Sequence, residues 1–116
     1  YLDAAAKAEL ERSSPEYRAA RKRLEAEYND RLATRQREIE AAAYKTMRQN
    51  VILDSVDKRN IAAEAAERAN RDLYANRISK ADLADTISRY EREASEKVRD
   101  SKASNALFNA MIRGEL

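Results

Sequence analysis

The chain is short of everything that interrupts a helix. Its 116 residues include one glycine (Gly114), one proline (Pro15), and no cysteine, histidine or tryptophan. Gly and Pro are the residues a helix interior tolerates least, at about 1 and 3 kcal/mol relative to Ala. Their scarcity predicts long helices rather than a mixed fold. Without Cys there are no disulfides and no thiolate metal sites, and the redox compartment is left open. Without His or Cys there is neither an imidazole base nor a thiol nucleophile. The Glu-x-x-His motif of helical di-iron proteins is excluded on the same ground. No run of 18 apolar residues occurs, so no transmembrane segment is expected. No signal-peptide pattern is present, and a start at Tyr1 rather than Met reads as that of a fragment or processed product.

Large side chains are scarce too. Aromatics amount to 6% of residues, one Phe (Phe108) and six Tyr, and about half of the 43% hydrophobic content is Ala. So little Leu, Ile, Val and Phe points towards disorder. The net charge of +2, with 38% of residues charged and the signs interleaved, does not. The combination predicts ordered helix with little core of its own, dependent on a partner. The sequence pI near 8.9 overstates the basic character, and the near-zero net charge argues against strong polyanion binding.

Ser13-Ser14-Pro15-Glu16 marks the first helix start. Ser14 suits an N-cap, Pro15 the first helical position and Glu16 the positive end of the dipole; Ser13 with Glu16 would alternatively form a capping box. Residues 1–14 are therefore a short N-terminal helix or arm, and 15–116 a helical hairpin module. From Tyr17 the apolar stripe runs Ala20, Leu24, Tyr28, Leu32, Ile39, Ala43 and Met47, with a polar skip at Arg35. Tyr17, Tyr28, Ile39 and Ile61 also fall at multiples of eleven, a spacing that favours straight or slightly right-handed winding. Residues 50–57 hold Asn, Asp, Ser and β-branched residues but no Gly or Pro. They read as a continuous or merely kinked stretch of a helix over 15–76, about 93 Å long.

A second start is expected at residue 80. Ser79 is placed as an N-cap, with Asp82 three residues on and Ile78 and Leu83 as a hydrophobic staple. The following stripe is Leu83, Ile87, Tyr90, Ala94 and Val98, then polar at Ser101 and Asn105, then Phe108 and Ile112, with Gly114 as the stop. A short connection makes the two long helices antiparallel neighbours. Folding near residues 77–78 sets Leu73 against Leu83, Ala69 against Ile87, Ala65 against Tyr90, Ile61 against Ala94 and Val56 against Val98. Large meets small repeatedly, which favours close approach. The second helix reaches back only to about residue 43, so the stripe from Tyr17 to Ala43 is left for a third helix or another chain.

No enzyme constellation emerges. Ser79-Lys80 and Ser101-Lys102 are adjacent pairs that point in different directions on a helix, and Glu38/Glu40 and Glu91/Glu93 diverge at i,i+2. Acid-first i,i+4 pairs are expected instead: Glu27–Arg31, Asp54–Lys58, Glu64–Arg68, Glu67–Arg71 and Glu93–Lys97, each contributing about 0.2–0.5 kcal/mol. One basic cluster, Arg12, Arg18, Arg21, Lys22 and Arg23, continues to Arg31, Arg35 and Arg37. Phosphate contact by Arg18, Arg21, Lys22 and Arg23 would suit a nucleic-acid module over 12–37, but acids dilute the stretch and no motif accompanies it. Leu107, Phe108, Met111 and Ile112 form the densest apolar group, read as a docking surface.

The expected fold is all-α: a long antiparallel helical hairpin or coiled-coil-like helices, with an elongated three-helix bundle as the alternative. The helix–helix interface is expected at Tyr17, Leu24, Tyr28, Leu32, Ile39, Met47, Ile61, Leu73, Leu83, Ile87, Tyr90 and Val98. The expected function is that of a non-enzymatic structural or assembly module, without cofactor or metal. Its partners would be copies of itself or a larger assembly such as a virion or secretion apparatus. Nucleic-acid binding is the alternative.

Overall fold

The computed structural model describes residues 3–116. The fold is all-α, with no strand among the described residues. Among the described residues four α-helices follow one another: α1 (Ala4–Ser13), α2 (Pro15–Gln49), α3 (Ser55–Tyr74) and α4 (Leu83–Ile112). The chain divides into two compact units, Tyr1–Ile39 and Glu40–Leu116, with the division inside α2.

In the first unit Asp3 caps α1 by accepting from the Ala6 amide at 2.7 Å. Ser14 is extended and separates α1 from α2; its hydroxyl accepts from the Tyr17 amide at 3.2 Å. Of the two expected caps, the one at Ser14 is therefore the one formed. The Ser13 hydroxyl turns back to the Glu9 carbonyl at 2.7 Å.

The expected continuity through residues 50–57 does not hold. Helix α2 ends at Gln49 and α3 restarts at Ser55. The cause is local: Asp54 accepts from the Asp57 amide at 2.8 Å, and the Asp57 carboxylate accepts from the Asp54 amide at 3.1 Å. That capping box satisfies two amides that a new helix would otherwise leave unpaired. Residues 51–53 leave carbonyls outside any helical ladder, and α4 meets two of them. Arg99 donates to the Val51 carbonyl at 3.1 Å and Lys102 to the Ile52 carbonyl at 3.5 Å.

Helix α3 ends in a left-handed residue, Asn76 (φ 56°). The Asn76 amide reaches the Leu73 carbonyl at 3.1 Å and the Arg77 amide the Asp72 carbonyl at 2.8 Å, the paired bonds of a Schellman stop. Gly114 (φ 69°) ends α4 the same way, with bonds from Gly114 to Met111 and from Glu115 to Ala110. Between α3 and α4 a 3₁₀ turn at Lys80–Asp82 follows Ser79, whose hydroxyl donates to the Asp82 carboxylate at 2.9 Å. The new start thus falls at residue 80, as a 3₁₀ turn that becomes α-helix at Leu83.

Helices α3 and α4 form the antiparallel hairpin. Ala65, Ala69 and Tyr90 make its buried centre, with Leu83 and Ile87 packed against it. Small side chains on α3 face a large one on α4, so the axes can approach closely. The stripe on α4 departs from expectation in its second half. Burial continues through Ala103 and Ala110, while Phe108 and Ile112 are exposed. Beyond Tyr90 the fully covered positions of α4 are Ala103 and Ala110, two turns apart, and the small Ala residues carry the buried face.

Candidate functional site

The surfaces of the helices carry the residues that the sequence singled out. Within the hairpin the buried residues are framed by polar ties. The Tyr90 hydroxyl donates to Asp72 on α3. Arg68 lies over the Tyr90 ring, 3.7 Å from its centroid, and its guanidinium donates to Glu93 at 2.8 Å. The Tyr90 hydroxyl holds the Asp72 carboxyl below the ordinary carboxylate range, helped by Arg77. Arg68 thereby turns across to α4 rather than to Glu64 along its own helix. Of the five expected acid-first pairs only Glu67–Arg71 closes, at 3.5 Å.

A second group of ties joins α4 to the end of α2 and the start of α3. Arg48 reaches both Glu96 and Asp100, the latter at 2.7 Å, and the Tyr44 hydroxyl donates to Asp100 at 2.7 Å. Arg48, then Tyr44, lower the Asp100 pKa; the bond to Asp100 raises that of Tyr44. Lys102 pairs with Asp57, which lowers the carboxyl and raises the ammonium. Asp57 therefore closes the capping box and ties α3 to α4 at once.

The structure brings Leu83, Ile87 and Tyr90 together with Ala65 and Ala69. Ile61 is buried; Tyr17, Met47, Leu73 and Val98 are half-buried. Leu24, Tyr28, Leu32 and Ile39 stand on the outside of α2, at 65%, 62%, 49% and 38% exposure. Leu107 is half-buried, whereas Phe108, Met111 and Ile112 are exposed. Arg18, Arg21, Lys22 and Arg23 are exposed, and Arg21 is engaged by Glu11 and, at 3.1 Å, by Glu25.

Sequence reasoning missed the polar ties (Tyr44 and Arg48 with Asp100, Asp57 with Lys102, Asp72 with Tyr90). Their signal lay in carboxylates matched with cations or tyrosine hydroxyls on different helices rather than along one helix. Among the described residues no group of three or more acidic side chains could hold a metal ion, and no helix is long and apolar enough to cross a membrane. Comparison with protein-family models, with curated proteins and with solved structures gives no match.

Proposed function

We propose that the chain is a non-enzymatic structural module that assembles by helix–helix packing, with copies of itself or within a larger assembly such as a virion or secretion apparatus. The observation that carries this reading is the row Leu24, Tyr28, Leu32 and Ile39 on α2, spaced by four, four and seven residues and exposed along its length. Scattered exposed apolar residues are ordinary, but a row at helical spacing is the shape a second helix covers. Phe108, Met111 and Ile112, exposed on the last turns of α4, supply a second apolar face.

Sedimentation equilibrium of the intact chain, alone and as Leu24→Asp with Leu32→Asp, tests the reading. The parent is expected to show a mass above one chain that falls to the monomer in the variant. A parent that remains monomeric at every concentration would remove self-assembly. Phe108→Ala is expected to lower the associated mass while leaving the helical circular dichroism unchanged.

A further inference from the structure

The tip of the hairpin carries an open groove lined by Arg68, Arg71, Asp72, Arg77, Arg89 and Tyr90, with Ala75 and Ile78 beside them. Four of the lining residues are arginines, from α3, the turn and α4. Three have a use within the fold. Arg68 is held by Glu93 and the Tyr90 ring. Arg71 pairs with Glu67, and Arg77 pairs with Asp72 at 3.4 Å. Arg71 and Arg77 also stand at the C-terminal end of α3, where the dipole favours cations.

Arg89 has no such use. Its guanidinium is 5.5 Å from the centroid of the ring that Arg68 already covers, and among the described residues no carboxylate pairs with it. Two like charges beside one ring repel unless an anion stands between them or one is neutralised. Glu93 neutralises Arg68, and Arg89 is left over. The one carboxylate in the lining, Asp72, is occupied by the Tyr90 hydroxyl and by Arg77. Counting Glu67 and Glu93 at the edges, four cations still face three carboxylates.

We propose that this groove binds the phosphate groups of a small phosphorylated ligand, with Arg89 as a forked donor and Arg77, whose tie to Asp72 runs through one terminal nitrogen at 3.4 Å, offering its remaining N–H groups. Guanidinium groups suit phosphate because two parallel N–H bonds from each match its oxygens. Several arginines around one concavity suit a multiply charged group better than a single carboxylate. Arg68, fixed by Glu93 and by stacking, lends charge to the groove without having to move. This inference does not rest on the assembly reading.

Inorganic pyrophosphate is the probe. Calorimetric titration, with Arg side-chain Nε–H resonances followed by NMR, should show one site per chain and shifts at Arg77 and Arg89. Arg89→Gln and Arg77→Gln should each weaken binding about tenfold, the equivalent of one lost charge-assisted hydrogen bond. Arg89→Lys, which keeps the charge but not the fork, should fall between. Circular dichroism confirms the fold of each variant, and Arg31→Gln, on the exposed part of α2, should bind as the parent does.

A short single-stranded RNA, tested for displacement by pyrophosphate, separates the sources of the phosphate. Displacement at the same two arginines keeps the site and assigns it to a nucleic-acid backbone. No binding of pyrophosphate at millimolar concentration, or unchanged affinity in a variant carrying both Arg77→Gln and Arg89→Gln, overturns the proposal.

Discussion

In Glu40–Leu116 the hairpin buries Ile61, Ala65, Ala69, Thr86, Tyr90, Ala103 and Ala110, and polar ties run from helix to helix around them. Among the described residues of Tyr1–Ile39 none is buried, and the one ion pair between helices is that of Glu11 with Arg21. Both regions are helical, and both are rich in Ala and in charge. In the first region Ala is only a good helix former, present because it loses no side-chain entropy. In the second the same residue is a spacer, fully covered at Ala65, Ala69 and Ala103, which lets α4 approach. Intrinsic propensity can shape a helix; tertiary packing is what makes it resist unfolding.

The largest expected difference between the regions comes from removing one aromatic ring in each. Tyr90→Ala should cost about 3–5 kcal/mol, the usual figure for truncating a buried aromatic side chain. Tyr28→Ala, on a side chain that is mostly exposed, should change stability by no more than about 0.5 kcal/mol. Urea unfolding monitored by circular dichroism measures both. Equal losses would abolish the contrast and place Tyr28 in an interface.

A smaller effect follows from adding volume. Ala69→Leu should cost about 1–3 kcal/mol by forcing α3 and α4 apart. Ala33→Leu, at an exposed position on α2, should be close to neutral by the same assay.

How much of this contrast could be read from the sequence depends on the kind of interaction. The hairpin was legible because its turn signals, Ser79, Asp82, Ile78 and Leu83, lie within a few residues of one another, although the Ser79 hydroxyl bonds the Asp82 carboxylate and caps no backbone amide. Counting back along α4 left the stripe from Tyr17 to Ala43 without cover; Leu24, Tyr28, Leu32 and Ile39 are indeed exposed, whereas Tyr17, Ala20 and Ala43 are half-buried. The stop at Gln49 was not read, although Asp54 and Asp57 spell a capping box with Asp in place of Glu. With no Gly or Pro beside it, the box was outweighed by the helical pattern on either side. The buried run through Ala103 and Ala110 was missed because a stripe sought in large residues passes over small ones. The ties from Arg48, Lys102 and Tyr90 depend on which residues meet across the hairpin, and register is set by packing.

Acid should loosen the second region through those ties. Asp57, Asp72 and Asp100 have carboxyl pKa values lowered in the folded chain, chiefly by Lys102, Tyr90 and Arg48 respectively. A lowered folded pKa means stability that is fully present above the unfolded value, about 3.9, and lost as pH falls through the folded one. The urea midpoint should therefore drop on acidification below that range. Asp72→Asn with Asp100→Asn should flatten the drop. Solvent reaches all three groups, so each contribution is modest.

Next in size is the cap that divides α2 from α3. Asp54→Ala removes the acceptor for the Asp57 amide and should cost about 0.5–2 kcal/mol. The loss should appear as faster hydrogen exchange in the first turn of α3. Exchange that instead slows across residues 50–55 would mean the two helices had fused, and the stop at Gln49 would then depend on Asp54 alone.

The smallest expected effect is the most informative about α2. Leu24→Asp with Leu32→Asp replaces two exposed apolar side chains with charged ones on a helix that buries nothing at these positions. In solution dilute enough to prevent the proposed association, the unfolding free energy should stay within about 0.5 kcal/mol of the parent. At higher concentration the parent alone should gain stability, because association stabilises whatever state it binds. Two urea midpoints per protein, one at each concentration, decide the matter. A variant already weaker when dilute would show that Leu24 and Leu32 support the fold of the single chain. A parent whose midpoint does not move with concentration would leave the exposed row on α2 without a role in self-association.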